Sequence, residues 1–348
     1  MTEQSDEVLT RVSDGVGLIT LNRPKAINSL NQHMVDALSA VLTRWENDDA
    51  VRTVVLKGAG DRGLCAGGDV VAVYDSARKD GVEVRRFWRD EYLLDGQIGR
   101  FGKPYVSLMD GIVMGGGVGV SAHANTRVVT DTSKIAMPEV GIGFIPDVGG
   151  AFLLSRAPGA LGLHAALTGA PFSGSDAIAM GFADHYVPHS ELDAFAKAII
   201  DDGVDSALAA HGDEPPASEL AAQRDWIDEC FAGDTVQDIV AALRARQGPA
   251  AGPAKAAADL IETRSPIAVS VALDAVRRAA KLETLEDVLV QDYRVSSASA
   301  RSHDLVEGIR AQIIDKDRDP KWSPATLAEI TPADIEAYFA PVDDDLTF

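Results

Sequence analysis

Two glycine-rich stretches hold most of the residues whose types and spacing could do chemistry. Met114-Gly-Gly-Gly-Val-Gly-Val-Ser121 is a tight, side-chain-free turn able to open a helix, and Met137-Pro-Glu-Val-Gly-Ile-Gly-Phe-Ile-Pro-Asp-Val-Gly-Gly150 sets Glu139 and Asp147 among glycines and apolar residues. A bare turn lets backbone N–H groups approach a ligand closely, and N–H groups at a helix start favour the negative charge that develops on a carbonyl oxygen. Glu139 and Asp147 each stand between a proline and a valine. Burial in such surroundings raises a carboxyl pKa toward neutrality, where the group can act as general acid or base. An isolated Asp or Glu more often caps a helix or joins an ion pair. Two of them downstream of an amide-rich turn point instead to acyl chemistry.

Other motifs carry less. Gly58-Ala-Gly-Asp-Arg-Gly63 fits the dinucleotide pattern G-x-G-x-x-G, but that pattern needs its third glycine at a helix start, and Leu64-Cys-Ala-Gly-Gly68 continues the turn. A nicotinamide dehydrogenase is therefore disfavoured. Cys65 has no partner base in sight and reads as a small buried turn residue. Ser121 departs from the G-x-S-x-G elbow of serine hydrolases, because His123 takes the final glycine position. The seven histidines show no metal-ligand spacing, and no metal is expected.

The elements that must position these residues alternate. Val16 to Leu21 and Val51 to Lys57 read as buried strands closed by turn residues. Met34, Leu38, Val41, Leu42 and Trp45 recur between them at helical spacing, which gives a parallel βαβ unit. Tyr105 to Asp110 predicts a strand feeding the triple glycine and a helix over Val118 to Ala124, and Arg127 to Thr130 predicts a further strand. Leu153, Leu154 and Leu161 to Leu167 suggest helices. From Asp201 the text becomes Ala-rich and helical, with Ser265-Pro266 and Thr284 as helix starts. The expected organisation is an α/β catalytic core over residues 1–200 and a helical region over 201–348, packed on that core or on a neighbouring subunit, so homo-oligomers are left open.

A chain of 348 residues with 46% hydrophobic residues can build a sizeable core, and a net charge of −21 opposes nucleic acid or anionic lipid as partners. Two cysteines suit a reducing compartment, no apolar run is long enough to span a membrane, and the polar start carries no targeting signal. A cytoplasmic location is expected.

At these residues the chain resembles the crotonase (enoyl-CoA hydratase/isomerase) superfamily and, within it, the 3-hydroxyisobutyryl-CoA hydrolase branch. Leu21-Asn-Arg-Pro-Lys-Ala-Ile-Asn28, Cys65-Ala-Gly-Gly-Asp-Val70, Lys103-Pro-Tyr-Val106 and the two glycine-rich stretches carry the likeness. Asp292-Tyr-Arg294, His303-Asp304, Glu307-Gly-Ile-Arg310 and Ile314 to Trp322 extend it through the tail. The resemblance implies a spiral of ββα turns that binds an acyl-CoA thioester, with CoA as part of the substrate and no separate cofactor. It implies an oxyanion hole from the amides of Gly68 and Gly116, adenine contact through the Ala66 backbone, and Lys25 near the CoA phosphates. Glu91 matches a substrate-pocket glutamate of the branch, although by itself it reads equally as an exposed helix residue.

Similar hydratases carry two catalytic glutamates. Here the second is Glu139, but the first position is Gly119, and Asp147 stands where hydratases have glycine. The resemblance thus implies hydrolysis of a short 3-hydroxyacyl-CoA, such as 3-hydroxyisobutyryl-CoA in valine breakdown. Glu139 would act as base or nucleophile, and Asp147 would orient the 3-hydroxyl or assist proton transfer. An enoyl-CoA hydratase or isomerase and a non-catalytic acyl-CoA-binding protein are the alternatives.

Overall fold

The structure, a computed structural model, describes residues 7–348. It opens on a hairpin that sequence patterning had not singled out: β1 (Val8–Ser13) and β2 (Val16–Leu21) pair antiparallel around Asp14 and Gly15, whose φ values are +49° and +88°. An Asp-Gly pair at positive φ is the two-residue turn that matches the natural twist of the flanking strands. The chain continues with α1 (Gln32–Glu46), β3 (Thr53–Gly58), α2 (Val70–Ala77), α3 (Val82–Gly99), β4 (Tyr105–Met109), β5 (Ile112–Met114), α4 (Gly116–Ala122), β6 (Thr126–Val129) and β7 (Lys134–Ala136). Then come α5 (Gly150–Arg156), α6 (Leu161–Thr168), β8 (Phe172–Ser173), α7 (Gly174–Met180), β9 (His185–Tyr186), α8 (Leu192–Asp202) and α9 (Val204–His211). Beyond Glu219 the described residues are helix and loop: α10 (Arg224–Cys230), α11 (Val236–Ala245), α12 (Ala251–Thr263), α13 (Pro266–Ala279), α14 (Leu285–Ser299), α15 (His303–Ile309) and α16 (Pro332–Glu336).

Contacts divide the chain into two units. The first takes the residues up to Gly68 together with Leu93–Ile135 and Phe172–Ser218; the second takes Asp69–Tyr92, Ala136–Pro171 and Glu219–Phe348. In the first unit six strands lie in the order β1-β2-β3-β4-β6-β9, with β1 antiparallel to its neighbour and the rest parallel. Parallel strands are covered on both faces and so read as unbroken apolar runs, as Val54, Val55 and Leu56 do. Leu18, Val55, Leu108 and Val128 pack with Phe195 and Ile199 of α8 on one face. Helix α1 buries the stripe expected of it: Met34, Leu38, Val41, Leu42 and Trp45. The Lys103 ammonium donates to the carbonyls of Trp45, Asp48 and Val51 at 2.5, 2.8 and 2.7 Å, a cation placed at the carboxy-terminal end of this helix and the loop after it. A second sheet of short strands, β5-β7-β8, completes this unit.

The second unit is built round α13, which buries most of its length. Both helix starts read from sequence are present. Ser265 accepts from the Ala268 amide with Pro266 in the first helical position, and Thr284 forms a capping box with Asp287. The expected α/β class with a helical carboxy-terminal region is the one observed. The helix after the triple glycine begins at Gly116, two residues earlier than its apolar pattern suggests, because the glycines themselves form its first turn.

Candidate active site

In the first unit the segments carrying Gly68 and Gly116 run side by side. Cys65 bridges Val113 in parallel, the Met114 amide donates to the Cys65 carbonyl at 3.0 Å, and the Leu30 amide donates to the Gly67 carbonyl at 2.8 Å. A Cβ built on Gly67 would lie 3.7 Å from the Gly116 nitrogen. Among the described residues no backbone hydrogen bond outside the regular helices and strands uses the Gly68 or the Gly116 amide. The approach is close enough to demand glycine. A Cβ on Gly117 would stand 2.4 Å from the Cys65 carbonyl oxygen, well inside contact distance.

The strand-to-turn segment before them is shaped by Asn28, which is fully buried and adopts φ +54°. Its Nδ2 lies 3.0, 3.2 and 3.1 Å from the carbonyls of Ala59, Gly63 and Leu64, and its Oδ1 accepts from the Arg23 amide. Gly63 has φ +151° and the next helix starts only at Val70, so the G-x-G-x-x-G stretch lacks the helix a dinucleotide site requires. Ala66 donates its amide to the Ile27 carbonyl at 2.9 Å, while Lys25 is exposed on the turn whose carbonyls of Pro24 and Lys25 accept from Arg62.

The carboxylates gather in the second unit. Glu139 opens a 3-10 turn, Glu139–Ile142, Asp147 sits in the loop before α5, and Glu91 lies on α3. All three are buried, with exposures of 7%, 4% and 2%, so Glu91 is not the exposed helix residue its sequence context equally allowed. Burial pushes Asp147 from the ordinary 3.8 up to about 7, against hydrogen bonds from Tyr92 and the backbone that pull it down. Burial drives Glu139 well above the usual carboxylate range, and the charges of Asp147 and Glu91 push the same way. Glu91 is raised by burial and then by Asp147. Such a set exchanges protons at higher pH than ordinary carboxyls do, which suits it to general acid or base work. Among the described residues Glu139 Oε2 and Glu91 Oε1 have no hydrogen-bond partner. Helix α4, by contrast, carries no ionisable side chain.

Several supporting residues escaped sequence reasoning. The Tyr92 hydroxyl lies 2.6 Å from Asp147 Oδ2 and 2.7 Å from Ser296 Oγ, and Asp292 Oδ2 accepts from the Gly149 amide at 2.9 Å. Asp292 and Ser296 are four residues apart, on one face of α14, which was the available signal. The His303-Asp304 and Glu307-Gly-Ile-Arg310 segments gain a physical role as well. A Cβ on Gly308 would meet the Ile142 backbone at 2.4 Å, and Asp304 accepts from Ser265 Oγ at 2.6 Å and from the Ser323 amide at 2.8 Å. Thus α15 presses directly on the turn that carries Glu139. Farther along, Asp344 pairs with Arg85 and accepts from Tyr293, its carbonyl accepts from Arg89, and Asp345 takes Arg294 at 2.5 and 2.8 Å. This short strap joins α3 to α14, the helices that bear Glu91, Tyr92, Asp292 and Ser296.

A profile of the Enoyl-CoA hydratase/isomerase family matches residues 16–339. The chain belongs to this family. Its relatives there include the protein of Danio rerio named 3-hydroxyisobutyryl-CoA hydrolase, mitochondrial, 36% identical over 354 residues that span 99% of this chain and 92% of the relative. The Homo sapiens protein of the same name is 36% identical over 359 residues, spanning 100% of this chain and 92% of the relative. Among solved structures, a carnitinyl-CoA dehydratase from Mycobacterium thermoresistibile is 71% identical with a TM-score of 0.96 over 99% of both chains. An enoyl-CoA hydratase from Rhodobacter sphaeroides is 39% identical with a TM-score of 0.92 over 98% of this chain and 100% of the other. The crotonase fold of this family is therefore the fold of this chain, as the residue motifs implied. Among the described residues no helix is long and apolar enough to cross a membrane, and no group of three or more His, Cys, Asp or Glu is arranged to hold a metal ion.

Proposed function

We propose that the protein hydrolyses a short 3-hydroxyacyl-CoA thioester, with 3-hydroxyisobutyryl-CoA, the valine-breakdown intermediate, as the favoured substrate. The observation that carries this reading is the placement of acids: α4 offers none, while Glu91, Glu139 and Asp147 are buried and their charges act on one another. Syn addition of water to a double bond uses an acid on each of the two glycine-rich segments, whereas acyl transfer needs an oxyanion site and a carboxylate. The names borne by the relatives matched over nearly their full length support it.

In this reading the Gly68 and Gly116 amides receive the thioester oxygen, and each such donor lowers the barrier by about 3–4 kcal/mol. Ala66 and Lys25 serve the CoA end. Glu139, with one oxygen unpartnered, either deprotonates water or attacks the carbonyl to give an anhydride that water then opens. The balance is the same by both routes: water adds to the acyl carbon, the C–S bond breaks, and the CoA sulfur leaves with a proton. Asp147, with a pKa near 7, is suited to hand over that proton or to hold the 3-hydroxyl, and Glu91 lines the acyl pocket. Besides the CoA thioester the reaction consumes only water. Two free, buried cysteines fit a reducing compartment such as the cytoplasm.

Incubation with 3-hydroxyisobutyryl-CoA and a thiol reagent tests the proposal. Stoichiometric free CoA is expected; no CoA release, together with efficient hydration of crotonyl-CoA, would overturn it. Hydration is the second reading, favoured by the 71% identical carnitinyl-CoA dehydratase, and loss of enoyl absorbance reports it.

A further inference from the structure

The loop that presents Asp147 is held in a conformation its own residues disfavour. Val148 has φ +52° and Gly149 follows at +72°, while Val148 is buried to 1% exposure. A β-branched side chain at positive φ is an outlier that persists only where surrounding contacts over-determine it. Two side chains of α14 supply those contacts. On the carboxy-terminal side of the strained residue, Asp292 Oδ2 accepts from the Gly149 amide at 2.9 Å; on the other side, Ser296 Oγ lies 2.7 Å from the Tyr92 hydroxyl, which lies 2.6 Å from Asp147 Oδ2. Asp292 and Ser296 are buried completely, Tyr92 is equally buried, and among the described residues Asp292 Oδ1 has no partner. A buried carboxylate that spends one oxygen on a single loop amide is costly unless that amide matters.

We propose that Asp292 and the Tyr92–Ser296 hydroxyl pair are positioning residues that clamp the left-handed Val148–Gly149 turn from both sides and so aim the Asp147 carboxylate. The proposal rests on Asp147 working on the acyl-CoA, as in the function proposed above. The groups facing Asp147 are Glu91 and Tyr92 from α3, Glu139 from its 3-10 turn and Asp292 from α14. Of these Tyr92 alone donates a hydrogen bond to it and favours its ionised form.

The test compares Asp292→Ala, Asp292→Asn, Tyr92→Phe and Ser296→Ala with the parent on whichever acyl-CoA the parent turns over, so that a failure of the hydrolase reading is seen separately, as absent CoA release by the parent. Misplacing a reacting group by about 1 Å can cost on the order of 100-fold in rate, so Asp292→Ala should lower kcat about 10- to 100-fold with KM within about threefold. Asp292→Asn keeps an oxygen for the Gly149 amide and should recover kcat to within about threefold of the parent. Tyr92→Phe should move the limb of the pH–rate profile governed by Asp147 to higher pH, and Ser296→Ala should move it the same way by less. A purely structural role lowers the amount of folded enzyme without moving that limb. The proposal is overturned if Asp292→Asn is as impaired as Asp292→Ala, or if Tyr92→Phe leaves the profile in place.

Discussion

Replacing Asp147 by asparagine should make the protein more stable above neutral pH while removing its activity. The folded state raises the Asp147 pKa from 3.8 to about 7, chiefly by burial. Folded protein therefore binds more protons than unfolded chain between those values. Stability is fully present below pH 3.8, falls as pH rises through the window, and carries the whole cost above 7. At 1.36 kcal/mol for each tenfold change in proton affinity, that cost is about 4 kcal/mol. Asparagine removes the charge, keeps an oxygen for Tyr92, and relieves Glu91 and Glu139 of a repulsive neighbour. Its second amide hydrogen still needs an acceptor, so a gain of about 2–4 kcal/mol at pH 8 is expected. For 348 residues the unfolding entropy is about 0.7 kcal/mol/K, so the melting temperature should rise by about 3–6 °C. Calorimetric melting of parent and variant from pH 4 to 8.5 measures this. A difference that does not grow with pH, or a variant less stable at pH 8, would refute the account of Asp147 as a buried charge kept at a cost in stability.

Glu139→Gln should reduce CoA release about 10²- to 10⁴-fold, the usual scale for losing a general base, with acyl-CoA affinity by calorimetry within about threefold. Gly117→Ala drives a Cβ to 2.4 Å from the Cys65 carbonyl oxygen; it should cost about 1–3 kcal/mol of stability and, by displacing the neighbouring Gly116 donor, about 10²-fold in kcat. His164 packs edge-on to Trp226 and Phe231, and burial lowers its pKa from 6.5 to about 4. Its folded pKa is depressed, so it contributes stability above pH 6.5 that is lost as pH falls toward 4, on the order of 3 kcal/mol. His164→Leu should accordingly flatten the melting temperature across that range.

The parallel strands β2 and β3 and the stripe of α1 were legible because both faces of such strands, and one face of such a helix, are apolar. The helix starts at Ser265 and Thr284 were legible because capping is local chemistry. The β5-β7-β8 sheet was not, since two- and three-residue strands are too short to show a period. The β1 hairpin was missed although Asp14-Gly15 announces it. At the site, Glu139 and Asp147 stood out as charges in apolar text. Ser296 did not, and Asp292 entered only within the Asp292-Tyr-Arg294 motif without a role, because what makes them matter is a loop more than 140 residues away in sequence, as the separation of 143 between Gly149 and Asp292 records.

The strap at Asp344 and Asp345 has a consequence in time. Arg85 and Asp344 are separated by 259 positions. Synthesis at about 5–20 residues per second puts roughly 10–50 s between the emergence of α3 and the arrival of the aspartate that ties it to α14. Through most of that interval Glu91 and Tyr92 have been made, but the partners from α14 and the strap have not. The carboxylate cluster thus cannot be completed until α14 and the strap have both been made.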